Sequence, residues 1–306
     1  EYLKVDNGTD TNGFRTRRAR FVINGSIADP RLKYKLETEF AGTNGGATAH
    51  PLDASIDWQW FQSFQIRAGQ FKVPYTYETL SSSTNLLTIG RTISDGAFSL
   101  DRDVGVNIHG KVFKDRFGYN LFAMNGEGRN QASTNKDMLF GTRLTYNVWS
   151  NSKVRLSNSK PANDPELAFS IAAVFNPGNS ALANQNTFHT SADIKFRYHG
   201  WSLLSAGHFV NNSSTKQKDY GFLSQLACFL IPQKLEAVGR SAGVIRDTAG
   251  AFGTGSVNSY EAGAGVNYYF AHKNAKLQLD YNLLWNNAAT QDRDDHQIRT
   301  QVQVWF

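Results

Sequence analysis

The sequence predicts an all-β protein: a sixteen-stranded antiparallel transmembrane β-barrel, one domain over residues 1–306, with its third outer loop folded inward. Three observations predict it. Segment after segment alternates apolar with polar side chains at a period of two, the pattern of strands with two different faces. The connections alternate between short turns and longer polar loops, the rhythm of an outer-membrane barrel. Aromatics sit near strand ends on the apolar face, among them Phe14, Phe40, Trp58, Trp60, Tyr146, Tyr198, Trp201, Phe270 and Trp285, as interfacial girdles do. A soluble sandwich or propeller also alternates, so the aromatic placement is what separates the two readings.

Residues 1–6 read as a first strand fragment. Ala19, Phe21, Ile23, Gly25 and Ile27 then share one face, while Arg18, Arg20, Val22, Asn24 and Ser26 share the other. Ala28-Asp29-Pro30-Arg31 has strong turn chemistry. Leu32, Tyr34, Leu36, Thr38 and Phe40 alternate with Lys33, Lys35, Glu37 and Glu39. After a polar connection, Leu52, Ala54, Ile56, Trp58 and Trp60 alternate with Asp53, Ser55, Asp57 and Gln59. A tight Phe61-Gln62-Ser63 turn leads into Phe64, Ile66 and Ala68 against Gln65, Arg67 and Gly69. Further strands are read at 103–112, 117–124, 138–148, 167–175, 188–198, 201–210, 220–230, 233–245, 260–270, 277–285 and 296–306. The pattern at 233–245 is the weakest of these.

The connection 74–102 differs from the rest. About thirty residues there lack any strand pattern, and a loop of that length in a compact domain is usually functional or disordered. Leu80, Leu86, Leu87, Ile89, Ile93 and Phe98 make it too apolar for disorder. It is read as the third outer loop, folded into the lumen as a constriction.

Composition limits the alternatives. The net charge is +6, from 32 basic and 26 acidic side chains. No apolar run is long enough for a transmembrane helix, whereas a barrel strand needs only about ten alternating residues. The single Cys228 excludes an internal disulfide and a Cys-cluster metal site. Residue 1 is Glu with no signal-like segment, which reads as a processed or trimmed chain. His189, Ser191 and Asp193 share a strand face, but residues two apart on a strand stand about 7 Å apart, too far for a nucleophile and its base. No HExxH, phosphate-binding glycine loop or zinc spacing occurs. The chain therefore reads as no enzyme, with no cofactor. Its basic residues are dispersed over strands, which argues against nucleic acid.

Several blocks, TRRARFVINGSI, LKYKLETEFAG, IRAGQFKVPYTYETLSSS, Gly90-Arg91 and AGVNYYFAHKNAKLQLDYN, resemble the phosphate-selective porin O/P family in order and spacing. The final Phe306 resembles the terminal aromatic of outer-membrane proteins. The resemblance implies a sixteen-stranded trimeric channel in the outer membrane of a Gram-negative bacterium, with cations on the constriction loop and wall that bind anions. It matches Arg17 and Arg18 to basic residues near the constriction, Lys72 to the lysine of the GQFKVP block, and Asp57 to a pore-facing acid. The chain departs from the family in lacking a long arginine ladder; Lys195 and Arg197 form only a local pair.

By alternation the lumen-facing cations include Arg18, Arg20, Lys33, Lys35, Arg67, Arg143, Arg240 and Lys276, and they outnumber the acids that oppose them, Glu261 and Asp280 among these. Rings of Arg and Lys favour anions. Lys72, Arg91 and Arg102 are expected near the narrowest point. Arg17 falls on the lipid-facing parity and needs a bulge or a position above the membrane to reach the pore. Each residue also has a plainer reading: Lys33 and Lys35 paired to acids on neighbouring strands, Arg91 and Arg102 bracing the loop, Cys228 an inert thiol. The expected function is passive diffusion of small hydrophilic solutes with a modest preference for anions, phosphate among them, by a homotrimer set in outer-membrane lipid. Two alternatives stand beside it: a non-selective general porin, and a structural or partner-binding barrel such as a sheath around an electron carrier.

Overall fold

A computed structural model describes residues 1–5, 10–41, 49–133, 136–149, 156, 162, 164–179, 185–247, 257–270, 274–287 and 293–305. Phe306 lies outside the described residues. The chain opens with β1 (Tyr2–Val5), β2 (Thr11–Asn12), β3 (Arg20–Ile27), β4 (Asp29–Glu39), β5 (His50–Phe61) and β6 (Phe64–Lys72). The long loop carries two short helices, α1 (Tyr77–Leu80) and α2 (Ile93–Phe98). There follow β7 (Arg102–Val112), β8 (Phe117–Met124), β9 (Leu139–Asn147), β10 (Glu166–Asn179), β11 (Gln185–Tyr198) and β12 (Trp201–Asn212). The last five are β13 (Gln217–Ile231), β14 (Leu235–Arg246), β15 (Asn258–Tyr269), β16 (Ala275–Asn287) and β17 (Arg293–Val304).

These strands form one sheet in which each strand from β3 to β16 pairs antiparallel with the next. β17 pairs with β1 through Tyr2↔Ile298 to Val5↔Asp295, and β1 with β2 through Leu3↔Thr11. Between β2 and β3, among the described residues, no residue-by-residue register closes the ring. The count is seventeen strands against the sixteen expected. The addition is β2, a return of two residues against β1, too short for any alternation to show in the sequence. The segment with the weakest pattern is a full strand, β14, paired on both sides.

The sheet is inside-out relative to a soluble protein. On β10, Phe169, Ile171 and Phe175 are exposed, while Ala168, Ser170, Ala172, Val174 and Asn176 between them are buried. Phe21, Ile23 and Ile27 on β3, Ile56, Trp58 and Trp60 on β5 and Phe222 and Leu226 on β13 continue the exposed apolar surface. The buried set is instead rich in charge: Glu37, Asp53, Arg143, Asp193, Arg240, Glu261, Asp280 and Arg299 among others. An apolar outer band around a polar interior is what a strand-built membrane channel requires, because lipid cannot solvate charge and the lumen can.

Candidate pore constriction

The loop between β6 and β7 crosses the interior of the sheet. Its base is closed where the Val73 N–H donates to the Asp101 carbonyl at 3.0 Å. From there it is tied to one side of the wall. The Tyr75 hydroxyl donates to the Thr190 carbonyl on β11 (2.7 Å), and Arg143 on β9 donates to the Tyr75 carbonyl. Arg240 on β14 donates to Thr88 Oγ1 (2.8 Å) and to the Gly90 carbonyl (3.0 Å). The Ile93 N–H meets Glu261 on β15 at 3.0 Å, and the Ile89 N–H meets Asp280 on β16 at 3.1 Å. Asn267 and Lys276 donate to the carbonyls of Leu87 and Leu86 at 2.8 and 2.9 Å. The bonds to Tyr75, Leu86, Leu87, Ile89, Gly90 and Ile93 satisfy loop backbone groups that would otherwise be stranded away from water.

Apolar contacts reinforce the polar ones. Leu87 packs with Leu204, Leu223, Ala227, Val238 and Ala242, and Phe98 with Val210 and Val244. The helix α2 comes so close to β13 that a Cβ on Gly221 would stand 2.5 Å from the Phe98 ring and 2.6 Å from Ser94 Oγ. Leu156, from the connection after β9, joins the Leu87 cluster and its carbonyl accepts from Ser202 Oγ at 3.2 Å. Apart from Leu156, these anchors lie on β9 to β16. Two hollows open toward the opposite side, β3 to β6.

One hollow of about 830 Å³ is lined by Lys33, Lys35, Asp57, Arg67, Lys72 and Lys111 of the wall and by Tyr77 and Leu80 to Ser82 of the loop. A second, of about 940 Å³, runs between the loop and the β3 and β17 edges, past Arg17, Arg18, Arg20, Ser82 to Asn85 and Gln301. Arg20, Lys35, Glu37, Ser82 and Asn85 border both. Four cations stand around this border: Arg17 and Arg18 line the second hollow, Lys72 lines the first, and Arg91 is near enough to repel Arg18 and Lys72. The last carbonyls of α1 hold two of them: Lys72 Nζ donates to the Ser81 carbonyl at 2.8 Å, and Arg91 Nε to the Glu78 carbonyl at 2.9 Å. Burial, then repulsion from Arg17, Arg20 and Arg91, pushes the Arg18 guanidinium down to about 9. Burial and the neighbouring Arg299 lower Arg17 in the same way. Neither Arg17 nor Arg18 forms an ion pair among the described residues.

The sequence matches the family described as phosphate-selective porin O and P over residues 2–194. The chain belongs to that family. It is an outer-membrane porin, a channel through which small hydrophilic solutes diffuse passively. Among curated proteins no match is found. Solved structures share the fold at low identity. An anion-selective porin from Comamonas acidovorans has 12% identity and a TM-score of 0.69, covering 99% of this chain and 96% of that one. The loop L8 deletion mutant of OmpT from Vibrio cholerae has 12% identity and a TM-score of 0.61, covering 99% and 95%. The channel DcaP of Acinetobacter baumannii has 10% identity and a TM-score of 0.58, covering 94% and 85%.

In this porin the residues singled out from sequence fall into distinct settings. Arg17 lies in 13–19, outside any strand, so the parity that pointed it to lipid does not apply. Its guanidinium reaches the loop, 3.0 Å from where a Cβ on Gly90 would be. Arg20 pairs with Glu39 (2.6 Å) and Glu37 (3.0 Å). Lys35 pairs with Glu37 at 2.7 Å and with Asp53. Asp57 accepts from Arg67 at 2.8 Å and lies 3.0 Å from His109. Lys33 reaches Ser26 Oγ at 2.8 Å rather than a carboxylate. Arg102 is 5% exposed and braced by Asp53 (2.6 Å), Asp101 (3.3 Å) and Glu37 (3.7 Å). Arg91, besides its carbonyl contacts, lies 3.4 Å from Asp95.

Sequence reasoning placed Arg143, Arg240, Lys276, Glu261 and Asp280 in the lumen but missed their work as loop anchors. Alternation gives a side chain's face, and only the tertiary fold gives its partner. Glu78 and Asp95 were missed altogether, since no motif marks a carboxyl pair inside an irregular loop.

Proposed function

We propose that this porin prefers anions, and that the preference is set by Arg17, Arg18, Lys72 and Arg91 where the loop meets β3 and β6. One observation carries the reading. The acids nearest this border, Glu37, Glu39, Asp53 and Asp57, are each engaged by Arg20, Lys35, Arg67 or Arg102, whereas Arg17 and Arg18 have no such partner among the described residues. Positive charge is left over at the neck. A narrow passage with low-dielectric walls focuses that field, and guanidinium groups offer planar paired donors to an oxyanion. One uncompensated charge about 6 Å from a passing ion is worth roughly 1 kcal/mol in bulk water and about 3 at an effective dielectric of 20. The anion selectivity of the Comamonas acidovorans porin, which shares the fold, supports the same sign. The family's name points to phosphate as one such anion, and a homotrimer is the assembly we propose for it.

Channel recording in a salt gradient tests this. The reversal potential reports the sign of preference, and phosphate added to a chloride solution reports competition at the neck. We expect an anion-favouring potential, diminished in Arg18→Ala with Arg20→Ala. A cation-favouring potential, or no conductance, overturns the reading.

A further inference from the structure

The two loop helices hold each other through a reciprocal clasp. Glu78, on α1, accepts from the N–H (3.1 Å) and the Oγ1 (2.7 Å) of Thr92, the residue that caps α2. Asp95, on α2, accepts from Oγ1 of Thr76 (2.5 Å), the residue preceding α1, and from Oγ1 of Thr79 (2.9 Å). Both carboxyls are buried, Glu78 at 3% exposure and Asp95 at 0%. The clasp holds two acids and little opposing charge. Arg91 sits 3.4 Å from Asp95, while Arg240 on β14, which faces Glu78, is paired with Glu261 on β15. Gln225 on β13 donates to Glu78 without adding charge.

The other charged groups around the loop are occupied or lie farther along it. Arg143 on β9 binds Asp193 on β11, Lys195 stacks over the Tyr77 ring at 4.6 Å, and His208 on β12 lies against the Phe98 ring. Beyond α2, Arg246 on β14 pairs with Asp219 on β13 at 3.1 Å. Lys72 on β6 caps the α1 carbonyls from the pore side.

We propose that the constriction loop is a proton-dependent latch: with Glu78 protonated the two helices stay clasped and the neck is narrow, and with Glu78 and Asp95 both ionised they repel and the neck loosens. Movement of α1 would carry the neck with it, since its carbonyls position Lys72 and Arg91. Burial first, then the neighbouring Asp95, pushes Glu78 from an ordinary 4.5 up to about 7, and burial raises Asp95 as well. A carboxyl raised in this way favours the packed loop while it is protonated. That contribution is full below about 4.5 and is lost as pH rises through about 7. The two values bound the change in the clasped-to-loosened ratio at roughly 300-fold.

The latch rests on the loop forming the neck and not on which ion the neck prefers, so conductance is the readout and selectivity is left aside. Single channels of the full protein are recorded in planar bilayers from pH 5 to 9 in potassium chloride. Wild type should show conductance and open-channel noise rising with a midpoint near neutrality. Glu78→Gln should stay flat at the low-pH level, and Asp95→Asn should move the midpoint to the acidic side, because the negative neighbour that raises Glu78 is gone; an alkaline shift overturns the coupling. A hydrogen-exchange measurement on unsubstituted protein covers the case of a variant that fails to assemble. Amides of 76–98 should lose at least tenfold protection between pH 6 and 8, after correction for intrinsic rates. A flat wild-type profile, a transition that survives Glu78→Gln, or unchanged protection overturns the latch.

Discussion

Truncating Arg102 to Ala separates two roles that a lumen-facing arginine can have. Its guanidinium lies 2.6 Å from Asp53 and 3.7 Å from Glu37, with side-chain exposures of 5%, 6% and 8% for the three. Removing one partner of a buried pair costs about 3–5 kcal/mol, because the other charge is left unopposed. Asp53 keeps Lys35, so the loss should fall near the lower end, about 3 kcal/mol. The anion preference should fall too, since Glu37, Glu39 and Asp53 would then face only Arg20 and Lys35. Guanidinium unfolding in detergent, followed by tryptophan fluorescence, measures the first effect, and reversal potential measures the second. A double-mutant cycle with Asp53→Asn isolates the pair itself: Arg102→Ala should cost far less on the Asp53→Asn background. If Arg102→Ala changes stability by less than about 0.5 kcal/mol, the pair behaves like an exposed one, and the bracing role is refuted.

Two further substitutions probe the loop from each side. Gly90→Val places a Cβ 3.0 Å from Arg17 Nη2 and 3.3 Å from Arg299 Nη1; Arg299 is held by Asp280 at 2.8 Å, so Arg17 must yield, and reversal potential should show reduced anion preference in a barrel that still assembles. Leu87→Ala empties a site that is 2% exposed among Leu204, Leu223 and Val238; a loss of about 2–5 kcal/mol in loop anchoring should appear as frequent brief closures or openings in single-channel records, against a quiet wild type.

Much of this architecture was legible in the sequence because a strand's two faces are written locally. Phe169 and Ile171 against Ser170 and Ala172 need no knowledge of the partner strand. The inward fold of the loop was legible for a related reason: Leu86, Leu87, Ile89 and Phe98 needed an apolar surface, and all four are buried. What could not be read depends on partners far along the chain. Thr11–Asn12 is too short for a pattern and exists as a strand only through β1. Arg20, Lys33 and Lys35 share an inward parity, yet two of them are spent on carboxylates and Lys33 on a hydroxyl. Arg17 could not be placed by alternation, because 13–19 lies outside any strand.

The one-sided anchoring of the loop explains why the remaining charge lies where it does. Anchors from β9 to β16 take up Arg143, Arg240, Lys276, Glu261 and Asp280, so that half of the interior offers an ion little that is not already bound. Passage is left to the β3–β6 side, where Glu37, Glu39 and Asp53 are matched by Arg20, Lys35 and Arg102. The residues in excess are Arg17 and Arg18 on an irregular segment, and Lys72, held by the neutral carbonyl of Ser81 at the end of α1. A carbonyl fixes a cation's position without cancelling its charge. On the proposed reading the neck is left positive, and a mutation that supplied a counter-charge, such as Ser82→Asp beside Arg18 and Arg20 on the hollow they share, should lower the preference while leaving the loop's anchors untouched.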